Sequence, residues 1–181
     1  IAITEGLVSP RKVIIMTPAS LRTNFFEELK KCGNPLFKKN QFWEFVELKE
    51  GSDDMAHQLS TALHLPISMI KKNRGAWFVN VKNESNYDSL SSNDKDSLEQ
   101  QIEEMIHQKY MFINYNGLRK QRLAELTHNS TVNPFDHKVV IIDEAHNFVS
   151  RIVNKIEKDR KSSEPKFLPT QLYNLLLDAT D

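Results

Sequence analysis

The segment KVVIIDEAHNF, residues 138–148, places four consecutive aliphatic residues directly before two acidic residues and a histidine. A short apolar run between polar segments is typical of a strand buried on both faces of a parallel sheet. The polar string DEAH, residues 143–146, would then lie at the carboxyl end of this strand, where open α/β sheets bind their ligands. Apolar residues recur every four positions within residues 144–158, which predicts a helix after the turn.

A second strand–turn–helix unit lies near the start of the chain. The run VIIM, residues 13–16, predicts another buried strand, and the polar string TPAS follows it at residues 17–20. Apolar residues at helical spacing then predict a helix, with Ser20 as its N-cap and Gly33 as its C-cap. TPAS and DEAH should both lie at the carboxyl ends of their strands, where an α/β protein carries its function.

Apolar strands and helices alternate along the sequence, which predicts an α/β fold with a mainly parallel sheet. Further strands are predicted at residues 42–48, 77–81 and 111–115, and further helices at residues 53–65, 95–110, 117–126 and 169–180. Residues 34–110 separate the first unit from the strand at 111–115 by far more than a plain connection needs. We therefore divide the chain into residues 1–33, an α+β insertion of unknown role at 34–110, and residues 111–181.

The composition excludes several classes of protein. Lysine plus arginine and aspartate plus glutamate number 24 each in 181 residues, so bulk charge indicates no particular partner. The single Cys32 excludes a disulfide scaffold and a cysteine-based zinc site, and it suits a reducing, intracellular compartment. No apolar run approaches membrane-spanning length, so no membrane partner is expected.

The DEAH string has the chemistry of a magnesium site on a nucleotide. Nucleotide-bound Mg²⁺ keeps several waters and takes one or two carboxylates, which suits Asp143 at the end of a rigid strand. Glu144 could polarise the water that attacks the γ-phosphate, and His146 could sense that phosphate. The simpler interpretation is that these acids only begin a helix, because acidic residues favour first turns. Zinc is disfavoured, since the six histidines show no His-Glu-x-x-His spacing.

Three segments carry a resemblance to a known family. VVIIDEAHNF resembles the Walker B segment of superfamily II helicases and translocases, and VIIMTPASLRTNFFEELKKCG resembles their motif Ia as written in Swi/Snf-type ATPases. FINYNGLRK, residues 112–120, resembles the segment that precedes the acid box in that group. The three segments stand in the family's order and are most similar to the DEAD/SNF2-like helicases of large nucleocytoplasmic DNA viruses.

The resemblance implies a partial RecA-like parallel sheet flanked by helices, which is the P-loop NTPase lobe that forms the first motor lobe of these enzymes. It implies ATP and Mg²⁺ as ligands, with Asp143 holding the metal through ATP, Glu144 catalytic, and His146 coupling the nucleotide to other segments. The nucleic-acid-binding residues that it implies are Thr17, Pro18, Ala19, Ser20, Arg22, Asn114, Tyr115 and Arg119. Asn114 departs from the family, which usually has Ser or Thr at this position.

The Swi/Snf-like sequence of these motifs favours duplex DNA over RNA as the partner. Viral transcription or replication proteins are further candidates. A viral protein of this kind would act in the host cytoplasm or nucleus, or in the virion. RKQR, residues 119–122, is the basic cluster best placed to bind nucleic acid, although a solvated surface is the simpler interpretation. Trp43 and Trp77 could stack on bases, but their apolar surroundings favour packing in a core.

A phosphate-binding loop is not found in the sequence. The P-loop pattern is G-x-x-x-x-G-K-[ST], and none of the five glycines is followed by Lys-Ser or Lys-Thr. IAITEGLVSP, residues 1–10, stands where the family has the end of the P-loop helix, so we expect the chain to be a piece of a longer helicase or translocase and to be inactive alone. The alternative is a non-catalytic module that binds nucleic acid or protein and has a degenerate motor-lobe fold.

Overall fold

The computed structural model describes residues 12–49, 51–159 and 167–180. The strands are β1 (Val13–Thr17), β2 (Phe42–Glu47), β3 (Gly75–Asn80), β4 (Tyr110–Asn114) and β5 (Val139–Ile142). The α-helices are α1 (Arg22–Cys32), α2 (Asp53–Leu63), α3 (Ile67–Lys72), α4 (Ser92–Lys109), α5 (Lys120–Leu126), α6 (Ala145–Asp159) and α7 (Leu168–Leu177). The helix end predicted at residues 1–10 lies outside the described residues.

The chain forms two compact units. Of the described residues, one unit comprises those within 24–109, and the other joins residues 12–23 to those from Tyr110 to Thr180. The division of the sequence into residues 1–33, 34–110 and 111–181 stays a prediction, because a spatial unit does not say which segment was inserted into which. No helix within the described ranges has both the length and the apolar character needed to cross a bilayer.

The second unit contains a three-stranded parallel sheet in the order β4-β1-β5. β1 is the central strand, and all five of its residues are buried, as its aliphatic run predicted. Residues 139–142 form the predicted strand, but its burial is lower than predicted: among the described residues β5 pairs only with β1, and Ile141 is 38% exposed. The α/β class and the parallel sheet are confirmed.

Helices flank this sheet and close its core. Ile14 and Met16 of β1 share a buried cluster with Ile113 of β4. The same cluster takes in Phe148 and Ile152 of α6, Leu123 of α5 and Leu172 of α7. Burial of such aliphatic and aromatic side chains is the main force that holds α6 and α7 against the strands. The core therefore fixes the strand ends from which the candidate site is built.

The unit of residues 24–109 is built around an antiparallel pair of strands, β2 and β3. Trp43 and Trp77 are 1% and 5% exposed, so both pack in a core rather than offering a free ring for stacking. On the outer edge of each strand, a side-chain amide forms hydrogen bonds with the backbone. Gln101 bonds both the N–H and the C=O of Trp77 at 2.7 Å, and Asn86 bonds the same two groups of Trp43 at 2.8 and 2.9 Å.

The helix boundaries differ from prediction at two turns. Ser20 is not the N-cap of α1, because it lies inside a 3₁₀ turn at Ala19–Leu21 and the α-helix begins at Arg22. Pro18 precedes that turn and accepts the N–H of Leu21 at 3.0 Å, which tightens the chain before the helix. The helix predicted from residue 117 begins only at Lys120.

Candidate functional site

The acid string begins where the β1–β5 ladder ends. Asp143 follows β5 directly, and its backbone N–H donates to the C=O of Met16 at 2.8 Å, which continues the strand pairing by one residue. The ends of β1 and β4 are level with each other, since Thr17 pairs with Asn114. The carboxyl ends of all three strands therefore meet at one edge, as expected of a ligand site in a parallel sheet.

Thr17 and Asp143 contact each other across adjacent strand ends. The Thr17 hydroxyl lies 3.4 Å from Oδ2 of Asp143 and equally far from the C=O of Pro18. This distance is longer than the usual range of a hydroxyl hydrogen bond. Thr17 is only 1% exposed, whereas Asp143 is half-buried. The pair thus brings a buried hydroxyl beside a half-buried carboxylate.

Glu144 adopts a backbone conformation that is uncommon for its residue type. Its φ is +51°, in the left-handed region, and the helix α6 begins at the next residue. Its C=O accepts the N–H of Asn147 at 2.9 Å. A non-glycine residue held in this region by its surroundings often marks a functional turn. This conformation lets the chain pass from β5 into α6 within a single short turn, which we call the acid turn (residues 143–146).

His146 pairs with Glu144 at the solvent-facing side of the acid turn. The Nδ1 of His146 lies 3.4 Å from Oε2 of Glu144, and the two side chains are 74% and 42% exposed. An exposed pair of this kind is screened by solvent, so it contributes little to stability. The predicted catalytic and coupling residues are therefore adjacent and accessible.

The side chain of Tyr115 contacts the main chain of the acid turn. Its hydroxyl lies 3.0 Å from the C=O of Asp143 and 3.1 Å from the C=O of Glu144. The ring is 4% exposed and lies 5.3 Å from the ring of Phe148. Burial, followed by the nearby carboxylates of Asp143 and Glu144, raises the pKa of the Tyr115 phenol. The phenol O–H is the donor in both contacts with the main chain of the acid turn.

A small cavity opens beside the acid turn. Its volume is about 310 Å³, and it is lined by Pro18, Ser20, Leu21, Asn116, Glu144, Asn147 and Arg151. The Nη1 of Arg151 donates to the C=O of Asn116 at 3.4 Å. The resemblance singled out only two of the polar lining residues, Ser20 and Glu144. Asn116 and Asn147 lie within segments that carry the resemblance but were assigned no role there, and only the structure reveals that they and Arg151 border the cavity.

The remaining residues predicted to bind nucleic acid have varied surroundings. Ala19, Arg22 and Arg119 are exposed, and the Arg22 guanidinium lies 5.5 Å from the ring centroid of Phe112. Asn114 shapes its own loop, because its Oδ1 accepts the N–H groups of Asn116 and Gly117 at 3.0 and 3.2 Å. Pro18 is buried. The assignment of all these residues to nucleic acid stays a prediction.

The site offers only a few side-chain oxygen atoms that could bind a metal ion. The described ranges contain no group of three or more His, Cys, Asp or Glu side chains that could hold a metal ion by themselves. Asp143 and the neighbouring Thr17 hydroxyl offer the kind of oxygen ligands that Mg²⁺ takes when phosphate and water supply the others. The residues therefore fit a metal that arrives with a phosphate ligand.

Comparisons with known proteins add no relative. No protein-family model, no curated protein and no solved structure matches this chain.

Proposed function

We propose that the chain is part of a RecA-like first motor lobe of an ATP-dependent nucleic-acid helicase or translocase. The observation that carries the proposal is the contact between Thr17 and Asp143 at the carboxyl ends of β1 and β5, 3.4 Å apart. It supports the proposal because two segments that resemble separate helicase motifs, 126 residues apart in the sequence, meet at the edge where such a lobe binds its nucleotide.

Each residue of the acid turn has a role in this proposal. Asp143 holds Mg²⁺ through ATP, and the ion neutralises charge on the phosphates when it is bound. Glu144 orients and polarises the attacking water, for which its half-exposed carboxylate is accessible. His146, in contact with Glu144, couples the state of the nucleotide to other segments. Thr17 orients the Asp143 carboxylate. The left-handed conformation of Glu144 points the side chains of Asp143 and Glu144 in different directions, although the two residues are consecutive.

Nucleic acid is the proposed partner, with duplex DNA favoured over RNA. Ser20 and Arg22 are exposed and could contact a strand backbone, and the exposed Arg119 adds positive charge just before α5. Hydroxyl and guanidinium groups contact phosphates without reading sequence, so binding should depend on salt rather than on bases. Viral transcription or replication proteins, and action in a host compartment or virion, remain further parts of this proposal.

A second candidate is a non-catalytic module that keeps the lobe fold and binds nucleic acid or protein. The observation that favours it is the sequence itself, because its 181 residues contain no G-x-x-x-x-G-K-[ST] pattern to grip the phosphates of ATP. In this case the acid turn would be a structural remnant, and its residues would be replaceable without loss of binding.

ATP hydrolysis by the chain alone tests one part of the first proposal, namely that these 181 residues are inactive by themselves. We expect no turnover above background from the 181 residues, because Asp143 and Glu144 lack a lysine and an amide cradle for the phosphates. The Glu144→Gln chain, purified in the same way, is the matched control, since the substitution removes only the carboxylate charge. Turnover that is present in the original chain and lost in Glu144→Gln would contradict the expectation.

A further inference from the structure

We propose that Tyr115 is the positioning residue of the acid turn, and that its hydroxyl holds Glu144 in the left-handed conformation. The inference concerns the main chain of the turn, and its importance for catalysis rests on the proposed function. It also gives Tyr115 a role other than contact with nucleic acid, which the resemblance implied for this residue.

The first argument is the geometry of a single hydroxyl between two consecutive carbonyls. Tyr115 Oη lies 3.0 Å from the C=O of Asp143 and 3.1 Å from that of Glu144. Two consecutive C=O groups point in similar directions in a helical conformation of either hand, and in opposite directions in an extended chain. The left-handed φ of +51° at Glu144 belongs to the first kind. A donor that is shared by both carbonyls therefore favours this conformation over an extended one.

The second argument is burial. Tyr115 is 4% exposed and packs against Phe148, which lies in the first turns of α6. Without the hydroxyl both carbonyls would lose the donor that Tyr115 supplies, and the C=O of Glu144 would keep the N–H of Asn147.

The third argument is that residues at the ends of two other strands contact the acid turn, which itself follows β5. Tyr115 follows β4, Thr17 ends β1, and Asp143 follows β5. Thr17 contacts the carboxylate of Asp143, and Tyr115 contacts the backbone of both acidic residues. The side chain and the main chain of the acid turn are thus fixed from different strands. Movement of the loop after β4 would be transmitted to Glu144 through the Tyr115 hydroxyl.

The test is a double-mutant cycle of Tyr115→Phe and Glu144→Gly in the 181-residue chain. The readout is amide hydrogen exchange of Asn147, whose N–H donates to the C=O of Glu144 at 2.9 Å. Tyr115→Phe should accelerate this exchange roughly tenfold, the equivalent of one net hydrogen bond. In the Glu144→Gly background the effect of Tyr115→Phe should become much smaller, because glycine adopts positive φ without support.

Tyr173→Phe is the matched control, since Tyr173 packs against the core of the same unit and loses the same hydroxyl. It should leave Asn147 exchange and the Glu144 backbone chemical shifts unchanged. An equal effect of Tyr115→Phe in both backgrounds, including unfolding in both, would assign Tyr115 to general packing and overturn the proposal. No step of the test uses ATP or nucleic acid, so failure of the proposed function would leave its result unaffected.

Discussion

The hydroxyl of Thr17 lies 3.4 Å from the carboxylate of Asp143, although 126 residues separate them in the sequence. Both residues stand at the carboxyl ends of adjacent parallel strands, and the N–H of Asp143 is bonded to the strand that Thr17 ends. The relationship shows how a sheet can bring a carboxylate and a hydroxyl together without either residue being close to the other along the chain.

Thr17→Val should weaken the orientation of Asp143 with a small cost in stability. Valine has the shape of threonine but cannot donate, so the buried site loses only the long hydrogen bond. We expect the free energy of unfolding to fall by about 0.5–1.5 kcal/mol in chemical denaturation. Thr17→Ser keeps the hydroxyl and is the control for that group. A loss for Thr17→Ser as large as that for Thr17→Val would assign the effect to packing instead.

Gln101→Leu should destabilise the unit of residues 24–109. Gln101 is 3% exposed and bonds both backbone groups of Trp77, so leucine would leave a buried N–H and C=O without their partner. The expected loss in the free energy of unfolding is about 1–3 kcal/mol for each group left unsatisfied. The exposed neighbour Gln100→Leu provides the control in the same denaturation experiment. Equal stability of both variants would show that the amide does not close the edge of β3.

Tyr87 should titrate at an unusually alkaline pH. Burial, followed by the hydrogen bond to Glu99, raises the pKa of Tyr87 from 10.0 to about 12. Between these two pH values the unfolded chain loses the phenol proton and the folded chain keeps it, so stability should fall as pH rises through this window. The phenolate absorbance difference between the original chain and Tyr87→Phe measures the pKa directly.

Glu99→Gln tests the cause of that shift. It removes the carboxylate that accepts the hydrogen bond of the Tyr87 hydroxyl, so the pKa of Tyr87 should move back toward its ordinary value. Glu84→Gln removes an equal charge from an exposed position and should have little effect. A Tyr87 pKa that responds equally to both substitutions would indicate general charge effects in place of the hydrogen bond.

Arg22→Gln and Arg119→Gln should each weaken binding to duplex DNA. If each arginine neutralises one phosphate, its removal should reduce the magnitude of the slope of log K against log salt concentration by about 1. Fluorescence anisotropy over a range of salt concentrations measures this slope. Lys82→Gln removes one exposed charge from the unit of residues 24–109 and provides the comparison. Identical slopes for all three variants would argue against a phosphate contact at these arginines.

Local sequence patterns predicted most of the elements around the site. The aliphatic run at residues 13–16 predicted β1, and the run at 139–142 predicted β5, because such short runs are typical of strands in a parallel sheet. The burial of β5 was predicted too strongly, since strand order decides which strand has two neighbours and the sequence does not contain that order explicitly. Ser20 was misassigned as a cap because capping residues also favour tight turns.

The contacts that support the site were not predictable in the same way. The bond from Tyr115 to the carbonyls of Asp143 and Glu144 joins residues 28 and 29 positions apart, and its acceptors are main-chain atoms common to all residues. The amides of Asn86 and Gln101 likewise bond backbone groups. No residue pattern marks a backbone acceptor, so such contacts follow from the three-dimensional arrangement alone.

The most direct measurement is ATP turnover by the longer protein that the proposed function implies, with and without Asp143→Ala. If the carboxylate at the end of β5 holds the metal of the nucleotide, as proposed, Asp143→Ala should reduce turnover to background. Asp136→Ala, in the loop before β5, should keep turnover within a few-fold of the original protein, as it lies outside the acid turn. Turnover by Asp143→Ala equal to that of the original protein would contradict the assignment of this strand end as the ATP site.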